Sequence, residues 1–556
     1  MRFARTHELL STSGMLVALA LSGCSDDPET AAANEQYPFA TAPRTQQTVH
    51  PDIVKLIPRT ASGLIHVPTP EQLRSKLTPI AKSIAPGLDK LIDIVPMVSQ
   101  FGLRPRDLDL QRPGAVVLLT LPMVGGSLPM LVLPVKNAED AADLVEGKAT
   151  VSGQHLAIGI GEAPKLARKP SPLADAFPSG DIAIRLNLLR ALQPFRELIN
   201  KSLSPESLAK QDGDVTLDAA SLQQMVVVLD GIKGLLGTAR ILDIAASLDQ
   251  GSVDLDITLE VAKGSSWDQG STMPSGELVH FARSLPVEDS SIVVLSTPVW
   301  SKWMNAFQGV YQDQANRMKP AQGQAFAGMV NHTKRIYDML DVGVAAALKF
   351  GSDGLRAAAI FASDTPQSLV EQFSLICDQL DPQSTATPID TKTGSASLTQ
   401  RSVTVNPKDL VGFAESLQLP ANVGQSFASV LSKLLGDQQL DLAVGVEGKR
   451  LGILCGNTTH ASTTMFDALR SGGDTTTGLL AGVLSRLHAT PQLLFACDVR
   501  QTLRDIRPSL TEELQKDFPI VSEGDPVVVW FSMSSSGRRY EVQLHVDLTE
   551  LLALFR

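Results

Sequence analysis

The sequence predicts an α+β protein of repeated β-α-β-β-α units, its antiparallel sheets covered on one face by helices. Two observations carry this expectation. One opening pattern of strand, turn and helix start recurs four times: "IPRTASGLIHVPTPEQL" from Ile57, "FPSGDIAIRLNLLRALQPF" from Phe177, "LPVEDSSIVVLSTPVWSKWM" from Leu285 and "HATPQLLFACDVRQTL" from His488. Each opening is followed by a paired strand segment, over 115–135, 241–261, 344–361 and 527–546. Spacings of this length point to duplicated domains, because solenoid repeats run about 20 to 50 residues.

In chain order, Arg2 and Arg5 precede an apolar run that begins near Leu9, is interrupted by Ser11, Thr12 and Ser13, and ends at Gly23. A membrane-spanning helix needs about 20 apolar residues, so the run is too short to cross. Its layout is that of a secretory signal, a charged start, an apolar core and small residues at the end. Within it, Leu21-Ser22-Gly23-Cys24 resembles the lipobox of bacterial lipoproteins. The resemblance covers about the first 26 residues and implies cleavage between Gly23 and Cys24, a diacylglyceryl group on the Cys24 sulfur, and an acyl chain such as palmitate on the new amino terminus. Each buried CH₂ contributes about 0.8 kcal/mol, so two or more chains hold a protein where one would not. The resemblance places the protein in the cell envelope, and Ser25 after the cysteine resembles export to the outer membrane.

Residues 24–50 are polar and rich in Ala, Thr and Pro, with no period of 2 or 3.6. They read as a flexible tether with a typical reach of roughly 30 Å and a limit near 90 Å. The body is expected in two halves of two units each, 51–280 and 281–556. The second half carries an insertion around 390–475, with extra strands at "SLTQRSVTV" and "QLDLAVGVEGKRLGILCG". In "SVDLDITLEV" the set Val253, Leu255, Ile257, Leu259 and Val261 alternates with Asp254, Asp256, Thr258 and Glu260. In "RYEVQLHVD" Tyr540, Val542, Leu544 and Val546 alternate with Glu541, Gln543, His545 and Asp547. Period two with one polar set predicts strands with one wet face. "GSDG" from Gly351 and "SSSG" from Ser534 suit tight reversals. Helical spacing over 217–236 and 298–318 puts Trp300, Trp303, Met304 and Phe307 on one stripe, which reads as core packing rather than an aromatic shelf.

The 556 residues are 43% hydrophobic and 19% charged, enough to fold, and the net charge of -11 excludes nucleic acid as a partner. No HExxH, CxxC, GxSxG or phosphate loop occurs, and "GIGEAP" at Gly159 reads as a strand end. His66 and His545 fall within strands, where a hydrogen-bonded structural role is favoured over metal ligation or base catalysis. Asp254, Asp256 and Glu260 line one face, read as solvated rather than as a shared cation site. Cys377, Cys455 and Cys497 sit in apolar settings and read as buried small hydrophobes. The sequons at Asn331 and Asn457 carry no weight in a bacterial lipoprotein. The expectation is therefore a non-catalytic, membrane-anchored envelope protein acting as scaffold or binding module, with no catalytic residue, cofactor or metal. Its partners would be the membrane through Cys24 and envelope proteins or lipid. A periplasmic carrier of lipid or another apolar ligand is the alternative, and a hydrolase follows it.

Overall fold

The computed structural model describes residues 45–84, 99–121, 126–145, 148–159, 171–193, 236–249, 251–265, 277–283, 290–298, 320–351, 354–389, 397–404, 439–456, 478–510 and 512–554, with a few isolated positions between them. Gly23, Cys24 and most of the tether, together with Trp300, Trp303, Met304, Phe307 and Asn457, lie outside the described residues. The first half contains β1 (Gln46–Gln47), α1 (Pro51–Leu56), β2 (Ala61–Val67), α2 (Pro70–Ile84), β3 (Gly114–Leu121), β4 (Gly126–Pro134), α3 (Ala138–Leu144), β5 (Ala149–Ser152), β6 (His155–Ile158), β7 (Phe177–Pro178), β8 (Ile182–Asn187), α4 (Leu188–Leu192), β9 (Ala239–Asp249) and β10 (Ser252–Val261). The second contains α5 (Glu277–Arg283), β11 (Ile292–Ser296), α6 (Pro320–Asp338), β12 (Gly343–Gly351), β13 (Gly354–Ala362), α7 (Pro366–Leu380), β14 (Thr387–Ile389), β15 (Ser397–Thr404), β16 (Gln439–Glu447), β17 (Arg450–Cys455), α8 (Gly478–Leu484), β18 (Leu493–Asp498), α9 (Val499–Ile506), α10 (Glu512–Asp517), β19 (Val528–Ser536), β20 (Arg539–Val546) and α11 (Leu548–Leu554).

Apart from the small β1·β7 pair, the strands form one antiparallel sheet. Its order is β5-β6-β4-β3-β2-β8-β9-β10-β20-β19-β18-β11-β12-β13-β17-β16-β15-β14. Among the described residues no ladder joins β5 to β14, so the sheet is open. It runs across the boundary between the two halves through the β10·β20 ladder. The connectivity reads alike outward from that ladder in both directions, through β9, β8, β2, β3, β4, β6 and β5 on one side and β19, β18, β11, β12, β13, β17 and β16 on the other. The β9–β10 hairpin closes at Asp249 and Ser252, and the β19–β20 hairpin at Ser536 and Arg539. Counted from those turns, Asp256 and Gln543 hold the same position, and they face each other in the central ladder.

Local signals agree with this arrangement. Asn187 ends β8 and caps α4 by accepting the Arg190 N–H, while Asp498 ends β18 and caps α9 by accepting the Gln501 N–H. The β5–β6 and β16–β17 hairpins turn on Gly153 and Gly448, at φ of 56° and 59°, a left-handed conformation that favours glycine.

The helices correct one expectation: they lie against both faces of the sheet. In the first half α1 packs with Leu64, Val117, Met130 and Val132, whereas α3 packs with Leu131, Leu133, Leu156 and Ile158 on the opposite face. In the second half α5 and α8 cover Val293, Leu295, Ala345 and Ile360, and α6 and α7 cover Val344, Phe361 and Leu451. The cause is written in β3, β4, β12 and β13, which are apolar on both sides of the pleat and must be buried twice. The alternating strands that suggested one wet face are confined to the middle of the sheet.

Cys377 in α7, Cys455 at the end of β17 and Cys497 in β18 form no disulfide. Burial pushes all three thiols up, Cys455 to about 12. Since the thiolate is the reactive form, a maleimide reagent at neutral pH is expected to label the folded chain slowly and all three sites fast in denaturant. Rapid stoichiometric labelling of any one in the folded protein contradicts this.

Candidate functional site

At the centre of the sheet, period two places Asp254 and Asp256 of β10, Gln543 and His545 of β20, and Trp530 and Ser532 of β19 on one face. Of this row Asp254, Asp256 and Gln543 were expected to be solvated, and His545 to be hydrogen-bonded. Instead Gln543 is 7% exposed and His545 2%, with Thr258 and Ser532 also buried. The segment that leaves α8 lies over them. The His488 backbone N–H donates to Gln543 Oε1 at 2.9 Å, and Gln543 Nε2 donates to Asp256 Oδ1 at 3.0 Å. His488 Nε2 lies 3.4 Å from Asp256 Oδ2. Glu260 and Asp254 do conform to the solvated reading, each with a side chain 40% exposed, Glu260 beside Arg538 at 3.5 Å.

His545 is the most elaborately held of these groups. Its Nδ1 donates to Asp254 Oδ1 at 2.6 Å and its Nε2 to Asp547 Oδ1 at 3.1 Å. One ring face stacks on Trp530, with centroids 5.9 Å apart and planes 14° from parallel. Arg486 Nη1 lies 3.2 Å from Nδ1 and 3.0 Å from Nε2, a near-equal pair of distances that sets it above the ring rather than in its plane. Burial opposes the ring's charge, yet the bonds to Asp254 and Asp547 outweigh it, and the pKa is pushed up to about 9. Burial likewise works against the charge of Asp547, but the bonds from His545 and the Val528 N–H hold it below the usual carboxylate range. At neutral pH the ring is an imidazolium with both protons committed. It serves as a fixed charge and has no lone pair with which to act as a base.

His66, the other strand histidine, differs from expectation. It is 2% exposed, and neither ring nitrogen has a hydrogen-bond partner among the described residues. It meets Phe177 edge-on at 5.8 Å. Burial, then the neighbouring His155 and His50, lower its pKa to about 4, so the ring is neutral.

Beside His545 opens a cavity of about 650 Å³, within the range of small-molecule sites. Leu479 and Val483 of α8 and Val528 and Trp530 of β19 give it apolar walls. Lys349, Arg486 and Arg504 bring positive charge, against the acids Asp498 and Asp547. With His545 charged, cations outnumber carboxylates on the lining. The contributing residues come from 290–349, 479–504 and 526–547, which is why no contiguous motif announces the site. The one sequence signal was the polar set Glu541, Gln543, His545 and Asp547, whose partners only the ladder β10·β20 and the α8 segment reveal.

No protein-family model, curated protein or solved structure matches this chain, and the reading of the site rests on its geometry.

Proposed function

We propose that the chain is a lipid-anchored envelope protein that works by binding rather than catalysis, and that the cavity beside His545 holds a small organic anion. The observation that carries the reading is a half-apolar pocket ringed by Lys349, Arg486 and Arg504, whose histidine is locked as a cation. Apolar walls with a few placed charges are the usual composition of ligand sites. The like order of strands on either side of β10·β20 supports a duplicated body of β-α-β-β-α units, a rigid platform on which one cavity has been specialised. The Leu21–Cys24 tetrapeptide supports attachment through Cys24, and Ser25 after it supports placement in the outer membrane, facing the periplasm.

The test uses the lipidated full chain extracted from its membrane in detergent, with mass spectrometry of the small molecules it retains. A carboxylate- or phosphate-bearing compound is expected with the unaltered chain and at least tenfold less with Lys349→Gln/Arg504→Gln. Equal retention, or no enriched anion, overturns the binding reading. Enrichment of a neutral lipid by both chains favours the apolar carrier. In the same preparation Cys24→Ala is expected to leave the membrane fraction, and membrane association that survives a salt wash defeats the anchor.

A further inference from the structure

We propose that His50, Asp52 and His155 form a site for one first-row divalent cation of the zinc type, where the body begins. One ligand atom from each residue lies within 4.8 Å of the other two, so movements of about 1 Å bring them to metal–ligand lengths near 2.0 to 2.2 Å. A set of two imidazoles and one carboxylate suits zinc and its neighbours rather than calcium or magnesium, which take oxygen ligands. Three protein ligands leave a fourth position for water, and His50 is exposed enough to admit it.

His155 carries the argument. It is 0% exposed, and its Nε2 lies 3.0 Å from the Pro113 carbonyl. A carbonyl oxygen only accepts, so Nε2 bears the proton and Nδ1 holds the lone pair. That Nδ1 is buried and has no hydrogen-bond partner among the described residues. A buried nitrogen left unpaired is destabilising, and a cation would take up its lone pair. Donation of the far N–H to a backbone carbonyl is also how ligating histidines are usually oriented.

The other two ligands are fixed by the start of α1. His50 caps the helix, its Nδ1 accepting the Asp52 N–H at a long 3.3 Å and lying 3.7 Å from Asp52 Oδ2, and on metal binding its one lone pair would pass from this weak cap to the ion. Lys55 takes the other carboxylate oxygen at 3.3 Å, so Oδ2 is the oxygen available to the ion. Gly153, in the turn before β6, makes room: a Cβ there would sit 2.1 Å from Asp52 Oδ2. The β16–β17 hairpin provides an internal control. Its Gly448 has nothing within 4 Å of the same place, and where β6 begins with His155, β17 begins with Arg450, which stacks over Phe281. The hairpin itself therefore does not require this cluster.

The test uses the full chain, without a polyhistidine tag, stripped by chelator and titrated with Zn²⁺ by calorimetry, with Co²⁺ as a spectroscopic probe. One Zn²⁺ per chain is expected, together with a rise in Tm and visible Co²⁺ bands of a low-coordinate N/O site. Asp52→Asn and His155→Gln should each weaken binding at least tenfold, while His332→Gln leaves it unchanged. Asp52→Asn keeps the volume of a side chain that is only partly buried, so it tests the site even where His155→Gln fails to fold. No stoichiometric Zn²⁺ binding, or unchanged affinity in Asp52→Asn, overturns the proposal.

Discussion

His545→Gln is expected to lower the unfolding free energy by about 2 to 3 kcal/mol at pH 6, and by far less at pH 10. The folded pKa is pushed up to about 9 from an unfolded value near 6.5. A raised pKa means that the charged form is stabilised by folding. The contribution is thus fully present below about pH 6.5 and disappears as pH rises through about 9. Each pKa unit corresponds to about 1.4 kcal/mol, reduced here because Asp254 is 40% exposed and water screens its half of the clamp. The depressed pKa of Asp547 is the other side of the same interaction and adds nothing further. Urea denaturation across pH 6 to 10 measures the effect: the unaltered chain should lose stability from about pH 6.5 upward, whereas His545→Gln should hold level until about pH 9, above which the three raised thiols weaken both chains alike. Parallel profiles for the two chains would show that the clamp carries no net energy.

The clamp also shows what the sequence leaves unreadable. Alternation in β10 and β20 states which residues share a face, because side chains in a strand repeat with period two. It does not state what lies over that face. Asp256 and Gln543 looked solvated because the segment that covers them, Arg486 to His488, is more than 50 residues away in the chain. Strands β10 and β20 were legible from alternation, and β9 and β19 as their partners within the paired segments, whereas the caps Asn187 and Asp498 were not singled out. Of the β5–β6 hairpin only the end of β6, before Gly159, was legible, since each of its strands has only 4 residues, too few to display a period. The stretch containing β16 and β17 was legible as strands but was assigned to an insertion; in the sheet it pairs beside β13 as β5–β6 does beside β4. His50, Asp52 and His155 gave no signal at all, because a turn glycine and a helix cap bring them together across 105 residues of chain.

Arg185→Met is expected to cost about 3 to 5 kcal/mol, the usual penalty for stranding one member of a buried ion pair. Arg185 and Asp243 face each other across β8·β9, with side chains 10% and 13% exposed. Their contact is bidentate, 2.7 Å from Nε to Oδ1 and 2.8 Å from Nη2 to Oδ2. The same guanidinium donates to the Asp175 carbonyl and to the Ala176 carbonyl, and Ala176 sits at φ 46°. Removing the cation leaves a buried carboxylate with no counter-charge. The corresponding place in β18·β19 is filled by Ala496 and Trp530, both buried and uncharged. The sheet thus accommodates an apolar pair at this position, and Arg185→Met/Asp243→Leu should regain half or more of the loss. A deficit of about 1 to 2 kcal/mol should persist, because the two carbonyls still lack their donor. Urea melts of the single and double variants followed by circular dichroism separate these contributions. If the double variant is as unstable as Arg185→Met alone, the stranded carboxylate is not the cause, and the carbonyl contacts that hold residues 175 and 176 dominate.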